Sequence, residues 1–197
     1  MTDDKDSVLL QRIPLTAAPD KNVAIITLNR PDRLNCFNPA LCHRLASLVS
    51  SLQQDESLAA VILTGAGKNF CAGADLSDPP SPLEQSSDLP HCLDRNPVHQ
   101  MNLLKVPLIG ALNGHVITGG FELALACDVL VGSSSVNFCD THIKFGLAPC
   151  WGLSQKLQRR VGSGRAKLAS LTAVPISAPV ALEWGLLDEL SDDPMER

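Results

Sequence analysis

Two glycine-containing segments, each directly after a predicted buried strand, could do chemistry with their main chains. One is F-C-A-G-A-D at residues 70–75, and the other is N-G-H-V-I-T-G-G-F-E at residues 113–122. The second opens a helix, whose first N–H groups lack intrahelical acceptors, and glycine lets an oxygen approach them closely. Facing one another, the segments would form an oxyanion hole in which each donor contributes about 2.7–4 kcal/mol of transition-state stabilisation. The alternative is that Gly119 and Gly120 serve only tight helix packing.

Two ionisable side chains stand near the second segment and could move protons. Glu122 lies one turn into an otherwise apolar helix, so it is either a desolvated general base or a charge at the helix start. His142 is either an acid or base or a satisfied structural histidine. Asp75, which ends the first segment, is interpreted as a structural hydrogen-bonding group.

Hydrophobic periodicity predicts the elements that must position these groups. Short apolar runs predict strands at residues 22–28, 59–63, 106–112, 128–131 and 136–138. Asn38 and Pro39 predict the start of a helix whose buried face carries leucines at 41, 45, 48 and 52. Further helices are predicted at 121–127, 153–161, 165–172 and 177–184. This alternation of strands and helices is typical of an α/β layered protein.

The domain organisation follows from where these patterns begin and end. Residues 1–20 are expected to form an N-terminal extension, 21–190 one core domain, and 191–197 a tail. Within the core, the Pro- and Ser-rich residues 77–97 predict an irregular loop.

Composition restricts the class of protein. The 197 residues carry 16 basic and 21 acidic side chains, a net charge of 16 − 21 = −5, and are 45% hydrophobic. Intrinsic disorder is therefore excluded, and the acidic balance argues against a nucleic-acid partner. The apolar runs are too short for a membrane span. The seven cysteines have no C-x-x-C spacing, and no metal-binding pattern is present.

No targeting signal is visible, so the expected compartment is intracellular, whether the cytoplasm, the peroxisome or the mitochondrial matrix. Residues 162–167 lack the G-K-[ST] ending of a phosphate-binding loop, and residues 65–67 lack the third glycine of a dinucleotide fingerprint.

Four blocks in order resemble the crotonase family, the enoyl-CoA hydratase/isomerase superfamily. They are I-T-L-N-R-P-D-R-L-N at 26–35, V-I-L-T-G-A-G-K-N-F-C-A-G-A-D-L at 61–76, V-P-L-I-G-A-L-N-G at 106–114 and G-G-F-E-L-A-L-A-C-D at 119–128. The stretch D-T-H-I-K-F-G-L-A-P-C-W-G-L-S at 140–154 looks like a subgroup found in plants and some bacteria.

The resemblance implies a spiral of repeated β-β-α units and an acyl-CoA thioester substrate. Coenzyme A belongs to that substrate, so no separate cofactor is implied. The main-chain N–H groups of Ala74 and Gly119 would bind the thioester oxygen. Glu122 would activate a water molecule that adds across the 2,3 double bond. The family's second glutamate falls at position 142, which is histidine here, so His142 would supply the proton.

Substrate binding is implied for a second group of residues. The Ala72 carbonyl would accept a hydrogen bond from the adenine amine. Gly73, in the same loop, and Gly120, in the second loop, would also contact the substrate. The candidate cations for the coenzyme A phosphates are Arg30, Arg33 and Lys68, which flank these loops. The alternative is that each is a solvated surface charge.

Two departures from the family pattern keep other readings open. Because His142 breaks the pair of carboxylates, an enoyl-CoA isomerase and an acyl-CoA-binding or scaffold protein stand beside the hydratase as alternatives. The resemblance ends near residue 190, where the family continues into C-terminal helices. The chain is therefore expected to be a truncated form, and a trimer or hexamer is expected only where those helices are present.

Overall fold

The computed structural model describes residues 6–78 and 93–195. Its larger sheet has six strands, in the spatial order β1, β2, β3, β4, β6 and β9. These strands are β1 (Val8–Leu15), β2 (Ala18–Leu28), β3 (Leu58–Gly65), β4 (Leu108–Leu112), β6 (Val129–Gly132) and β9 (Glu189–Leu190). The first pair is antiparallel and every later pairing is parallel.

A smaller sheet of three strands accompanies it. Its members are β5 (His115–Ile117), β7 (Asn137–Cys139) and β8 (Ile176–Ser177). The helices are α1 (Pro39–Leu52), α2 (Pro97–Asn102), α3 (Gly119–Leu125), α4 (Leu153–Val161), α5 (Ser163–Thr172) and α6 (Ala178–Glu183), and Pro31–Arg33 and His142–Phe145 form 3-10 turns.

The chain repeats one pattern: a strand of the larger sheet, a segment along the smaller sheet, then a helix. β4, β5 and α3 form one such turn, and β6, β7 and α4 form the next. Isolated bridges continue the smaller sheet backward, from Val116 to Cys71 and from Ala74 to Phe37. The β-β-α winding that the resemblance implies is therefore present. It places the segments that precede consecutive helices side by side.

The helix α1 shows how the sequence specifies these elements. The Asn38 side chain accepts a hydrogen bond from the Leu41 N–H at 3.0 Å, and Pro39 occupies the first helical position. The predicted apolar face is buried, with Leu41 and Leu45 fully inaccessible to solvent. Both the cap and the buried face of this helix are confirmed.

The predicted N-terminal extension over residues 1–20 is corrected for residues 8–20. Strand β1 pairs with β2 from Val8 to Leu15, so this part of the chain forms the edge hairpin of the larger sheet. Six of its eight residues are exposed, and Pro14 interrupts any alternation. Because an edge strand buries so little, its sequence carries no clear strand signal.

The other boundaries differ by a few residues. The helix predicted at 121–127 spans 119–125, and the strand predicted at 106–112 begins at 108. Residue 191 of the predicted tail still bonds to the larger sheet, through its N–H to the Gly132 carbonyl at 3.0 Å. Most of the predicted loop at 77–97 lies outside the described residues. Its last residue, Pro97, begins α2.

Candidate active site

The two glycine-containing segments lie against each other. Cys71 bridges to Val116 through two hydrogen bonds, from Cys71 N to the His115 carbonyl at 2.9 Å and from Ile117 N to the Cys71 carbonyl at 3.0 Å. A Cβ placed on Gly73 would lie 3.8 Å from the Gly119 nitrogen. The structure therefore brings together the two loops that sequence reasoning selected.

The main-chain N–H groups of Ala74 and Gly119 have no hydrogen-bond acceptor among residues 6–78 and 93–195. Gly119 is the first residue of α3, so no intrahelical carbonyl is available to it. On either side of Ala74, the Gly73 carbonyl accepts from Phe37 N and the Asp75 N–H donates to the Phe37 carbonyl, both at 2.9 Å. The Ala74 N–H therefore points away from Phe37, toward the side on which β5 lies.

Close packing also requires the glycines at these positions. A Cβ on Gly119 would overlap the Phe37 ring, and a Cβ on Gly120 would overlap the Cys71 carbonyl. Gly73 adopts φ +96°, which side chains strongly disfavour. Gly119 and Gly120 therefore do serve tight packing. This role does not prevent the Gly119 N–H from also acting as a hydrogen-bond donor to a substrate.

Thr118 fixes the peptide unit that carries the Gly119 N–H. Its backbone has φ 52° and ψ −109°, which is strained for a β-branched residue and costs on the order of 1–3 kcal/mol. The Thr118 N–H donates to the Cys139 carbonyl at 2.9 Å. Its hydroxyl contacts that of Thr141 and accepts from the Thr141 N–H at 3.2 Å. These bonds hold the strained conformation in place.

Glu122 has its carboxylate almost entirely buried, with 2% of the residue exposed. Its Oε1 accepts hydrogen bonds from the N–H groups of Trp151 at 2.8 Å and Leu153 at 3.2 Å, where α4 begins. Burial raises the pKa of Glu122 above its ordinary value, against the opposing effect of the Leu153 donor, His142 and the Trp151 donor. A carboxylate with a raised pKa is a stronger base than one at the surface.

His142 is also buried and lies within reach of that carboxylate. Its Nε2 is 3.7 Å from Glu122 Oε2, and its Nδ1 is 2.7 Å from Asp140 Oδ1. The structure therefore brings together Glu122 and His142 and adds Asp140, which sequence reasoning missed. The spacing D-x-H directly after a short strand is the signal that could have found it.

Trp151 and Phe37 form an apolar wall beside these groups. Their ring centroids are 4.9 Å apart, and the Phe37 ring also lies over Gly119. Neither aromatic residue was singled out from the sequence. An aromatic residue just before the N-terminus of α4 gives no signal that its main chain will bond a glutamate 29 positions earlier.

The expected phosphate-binding cations do not behave alike. Arg30 is engaged inside the fold, since its Nη2 lies 2.9 Å from Asp75 Oδ2 and its Nη1 donates to the Cys36 carbonyl. The expectation that Arg30 binds phosphate is therefore corrected, because its side chain instead joins Asp75, at the end of the 70–75 segment, to the Cys36 carbonyl. Arg33 and Lys68 are exposed, and no side-chain hydrogen bond or salt bridge engages either of them within the described part of the chain.

The interpretation of Asp75 as a structural group is confirmed. It accepts from the hydroxyl and the N–H of Ser77 at 2.6 and 3.1 Å, as well as from Arg30. The Ser77 hydroxyl and Arg30 hold its pKa below the ordinary value, against the effect of burial. Ala72, in the same 70–75 segment, donates its N–H to the Leu34 carbonyl at 3.1 Å.

The described residues contain no group of three or more His, Cys, Asp or Glu side chains arranged to hold a metal ion. In the same residues, no helix combines the length and apolar character needed to cross a bilayer.

Comparison with known proteins identifies the family of this chain. The family described as Enoyl-CoA hydratase/isomerase matches residues 19–195. The chain is 44% identical over 171 residues to "Probable enoyl-CoA hydratase 1, peroxisomal" of Arabidopsis thaliana, covering 87% of this chain and 63% of that protein. It is 36% identical over 169 residues to "Short-chain-enoyl-CoA hydratase" of Clostridium acetobutylicum, covering 85% and 65%. The chain thus spans just under two thirds of the length of these two relatives.

A solved structure agrees with the sequence match. An enoyl-CoA hydratase/isomerase from Mycobacterium paratuberculosis superposes with a TM-score of 0.82 at 30% identity, covering 97% of this chain and 75% of that one. The sequence match extends over most of the chain and the folds agree. This chain therefore belongs to the enoyl-CoA hydratase/isomerase family.

Proposed function

We propose that the chain carries the active site of an enoyl-CoA hydratase, which adds water across the 2,3 double bond of an enoyl-CoA thioester, as in fatty-acid β-oxidation. The observation that carries the proposal is a pair of main-chain N–H groups, on Ala74 and Gly119, in adjoining loops beside the buried Glu122. Neither has a hydrogen-bond acceptor among the described residues. Such donors favour a reaction in which negative charge develops on a carbonyl oxygen.

In this mechanism, the thioester oxygen accepts hydrogen bonds from Ala74 and Gly119, which draws electron density from the 2,3 double bond. Glu122 takes a proton from a water molecule, and the hydroxide oxygen bonds to C3. The electron pair of the double bond moves to C2 and the thioester oxygen. The imidazolium form of His142 then gives its Nε2 proton to C2, which forms the C2–H bond and leaves a neutral imidazole. Transfer of the water-derived proton from Glu122 to this imidazole restores the Glu122 carboxylate and the imidazolium.

His142 takes the place of the carboxylic acid that the resemblance implies at this position. A histidine can hold a transferable proton near neutral pH, and its Nε2 lies 3.7 Å from Glu122 Oε2. That separation suits two groups that serve adjacent carbons of one substrate.

For substrate binding, we propose that the exposed side chains of Arg33 and Lys68 meet the coenzyme A phosphates and that the Ala72 carbonyl accepts from the adenine amine. Gly73 and Gly120 let the acyl thioester approach the main chain. Coenzyme A enters as part of the substrate, and no other cofactor is needed for this reaction.

A second candidate function is an enoyl-CoA isomerase. It is favoured by the lone glutamate, because one base can carry a proton between two carbons without adding water. A role as an acyl-CoA-binding or scaffold protein is the third candidate. A homo-oligomer, trimer or hexamer, belongs to the proposal for the whole protein.

Replacing Glu122 by Gln tests the proposed activity. We expect the purified chain to consume crotonyl-CoA, seen as loss of enoyl absorbance, and Glu122→Gln to lower the rate by about 10²–10⁴ because the general base is lost. The matched control is Glu56→Gln, an exposed glutamate ahead of β3, which should leave the rate unchanged.

Turnover that is equal in the wild type and Glu122→Gln would contradict the assignment. Migration of a 3-enoyl-CoA double bond without hydration of crotonyl-CoA would favour the isomerase, and tight binding without any reaction would favour the binding protein.

A further inference from the structure

Asp140 is a buried charged side chain for which the steps above assign no role. It directly follows β7, and only 1% of the residue is exposed. Its Oδ1 accepts from the His142 ring nitrogen Nδ1 at 2.7 Å and from the His142 N–H at 3.1 Å. Ser170, on α5, gives the Asp140 carboxylate a further side-chain hydrogen bond. Three donors thus surround one carboxylate in the protein interior.

These contacts determine which ring nitrogen of His142 carries its proton. An ionised carboxylate only accepts hydrogen bonds, so Nδ1 must be the nitrogen that donates. Asp140 stays ionised because the bonds from His142 and Ser170 outweigh burial and hold its pKa below the ordinary value. With Nδ1 occupied, Nε2 is the only ring nitrogen that can exchange a proton, and it faces Glu122 Oε2 at 3.7 Å.

We propose that Asp140 is a positioning residue that orients His142 and keeps its Nε2 as the proton-transferring atom opposite Glu122. The proposal rests on the proposed function, in which His142 protonates C2. It adds that the carboxylate–imidazole pair replaces a simple carboxylic acid at this position. Asp140 touches no reacting atom, since His142 stands between it and Glu122. Its negative charge stabilises the imidazolium that His142 must become before it gives its proton away.

Other charged and titratable groups act on the same cluster. Cys139, the residue before Asp140, interacts electrostatically with Asp140 and with Lys144. Lys156 of α4 and Cys150 interact electrostatically with Glu122. A substitution at Asp140 leaves these groups in place, so a change in pH dependence can be attributed to the carboxylate itself.

Two substitutions separate the charge of Asp140 from its hydrogen-bond acceptor. Asp140→Asn keeps an oxygen that can accept from His142 and removes the charge, whereas Asp140→Ala removes both. We expect Asp140→Asn to lower kcat about tenfold or more with little change in KM. Asp140→Ala should lower it further, up to the loss of His142→Gln, about 10²–10⁴. In Asp140→Asn the alkaline limb of the kcat–pH profile should move to lower pH.

A double-mutant cycle distinguishes positioning from general support of the fold. If Asp140 acts through His142, adding Asp140→Asn to His142→Gln should change kcat by no more than about twofold. A structural role would cost the same in both backgrounds and would leave the pH profile where it is. The matched control is Asp20→Asn, which changes an exposed aspartate near the N-terminal end of β2. This variant should behave as wild type.

The imidazole ¹⁵N spectrum provides a readout that does not depend on turnover. The chain has five histidines, and His142→Gln identifies the signals of the one in question. We expect wild-type His142 to show a protonated Nδ1, and Asp140→Ala to redistribute the proton between the two nitrogens. A wild-type ring protonated only at Nε2, or unchanged signals in Asp140→Ala, would overturn the proposal. An active wild type whose Asp140→Asn variant keeps its kcat and pH profile would also overturn it. Loss of activity in every form with the expected spectra would instead contradict the proposed function.

Discussion

Gly119 has a packing role and a proposed chemical role in the same few atoms. Its N–H is one of the two proposed oxyanion donors and has no acceptor in the described residues, and its Cα faces the Phe37 ring with no room for a Cβ. Phe37 in turn packs against the ring of Trp151, whose main-chain N–H donates a hydrogen bond to Glu122. Adding a methyl group at Gly119 therefore disturbs Phe37 directly, and Phe37 packs against the residue whose main chain bonds the proposed base.

We predict that Gly119→Ala destabilises the chain by about 1–3 kcal/mol, because the new Cβ forces the Phe37 ring to move within a packed core. In a Phe37→Leu background the same substitution should cost less, since the smaller side chain leaves space for the methyl group. Urea unfolding of the four proteins in this cycle measures the coupling. Equal costs in both backgrounds would mean that the Phe37 ring is not what excludes a side chain here.

Thr118 has a strained backbone conformation whose cause lies far away in the sequence. A threonine at φ 52° is disfavoured, and nothing in the sequence around it indicates that this residue adopts the conformation. The cause lies 23 positions away, in the hydrogen bonds that Thr141 makes with it.

At the scale of elements, the loop after β2 is joined to the loop after β3 by one buried side chain. Asn35 is fully inaccessible, and its Nδ2 donates to the carbonyls of Ala66 at 2.9 Å and Asn69 at 2.6 Å. Its Oδ1 accepts from the Arg30 N–H at 2.9 Å. Its φ of 54° is one that asparagine tolerates better than most residues. This amide fixes the spacing between two successive turns of the chain.

We predict that Asn35→Ala lowers the free energy of unfolding by about 1–3 kcal/mol or more, because it leaves buried main-chain groups without partners. Asn35→Asp keeps the acceptor for Arg30 and loses the two donors, so it should be destabilised as well. Asn137→Ala, at a half-buried strand position for which the structure gives no side-chain hydrogen bond within the described residues, is the control. Thermal unfolding of the three variants makes the comparison, and an Asn35→Ala variant as stable as this control would contradict the argument.

Long elements with a continuous buried face could be predicted from the sequence. Helix α4 was predicted with its observed bounds, because its apolar residues recur on one face and Gly162 ends it. Strands β8 and β9 were missed, since each has two residues and so cannot show a periodicity. Strand β5 was interpreted as loop, because three residues between two glycine-rich stretches have no strand signature of their own.

The candidate site shows the same difference between local features, which the sequence predicts, and long-range contacts, which it does not. The two loops and Glu122 could be selected as candidates from the sequence because glycines and a lone carboxylate in an apolar helix are local signals. Their arrangement depends on contacts between distant positions, such as Glu122 with Trp151, and these have no local signature. Arg30 was assigned to the wrong partner for this reason, since its pairing with Asp75 spans 45 positions.

For the molecule as a whole, the buried charged groups of the candidate site affect the free energy of unfolding. Glu122, Asp140 and His142 are all buried. Buried charge is unfavourable unless hydrogen bonds compensate it. For Asp140 the compensation is sufficient, because its pKa lies below the ordinary value, whereas for Glu122 burial prevails and raises the pKa. The proposed base is therefore a net cost to folding at neutral pH.

We predict that Glu122→Gln makes the protein more stable than wild type at neutral pH, and that the difference narrows as the pH falls. A carboxyl whose folded-state pKa is raised contributes most to stability when it is protonated. That contribution is present below its unfolded pKa, about 4.3, and is lost as the pH rises through the folded pKa. Each unit of elevation contributes about 1.4 kcal/mol, and glutamine lacks the titration while its oxygen can still accept from Trp151 and Leu153. Urea unfolding from pH 4 to 8, with Glu56→Gln as the matched control, measures the difference. A stability gain for Glu122→Gln that is the same at every pH would show that burial of the charge is not its source.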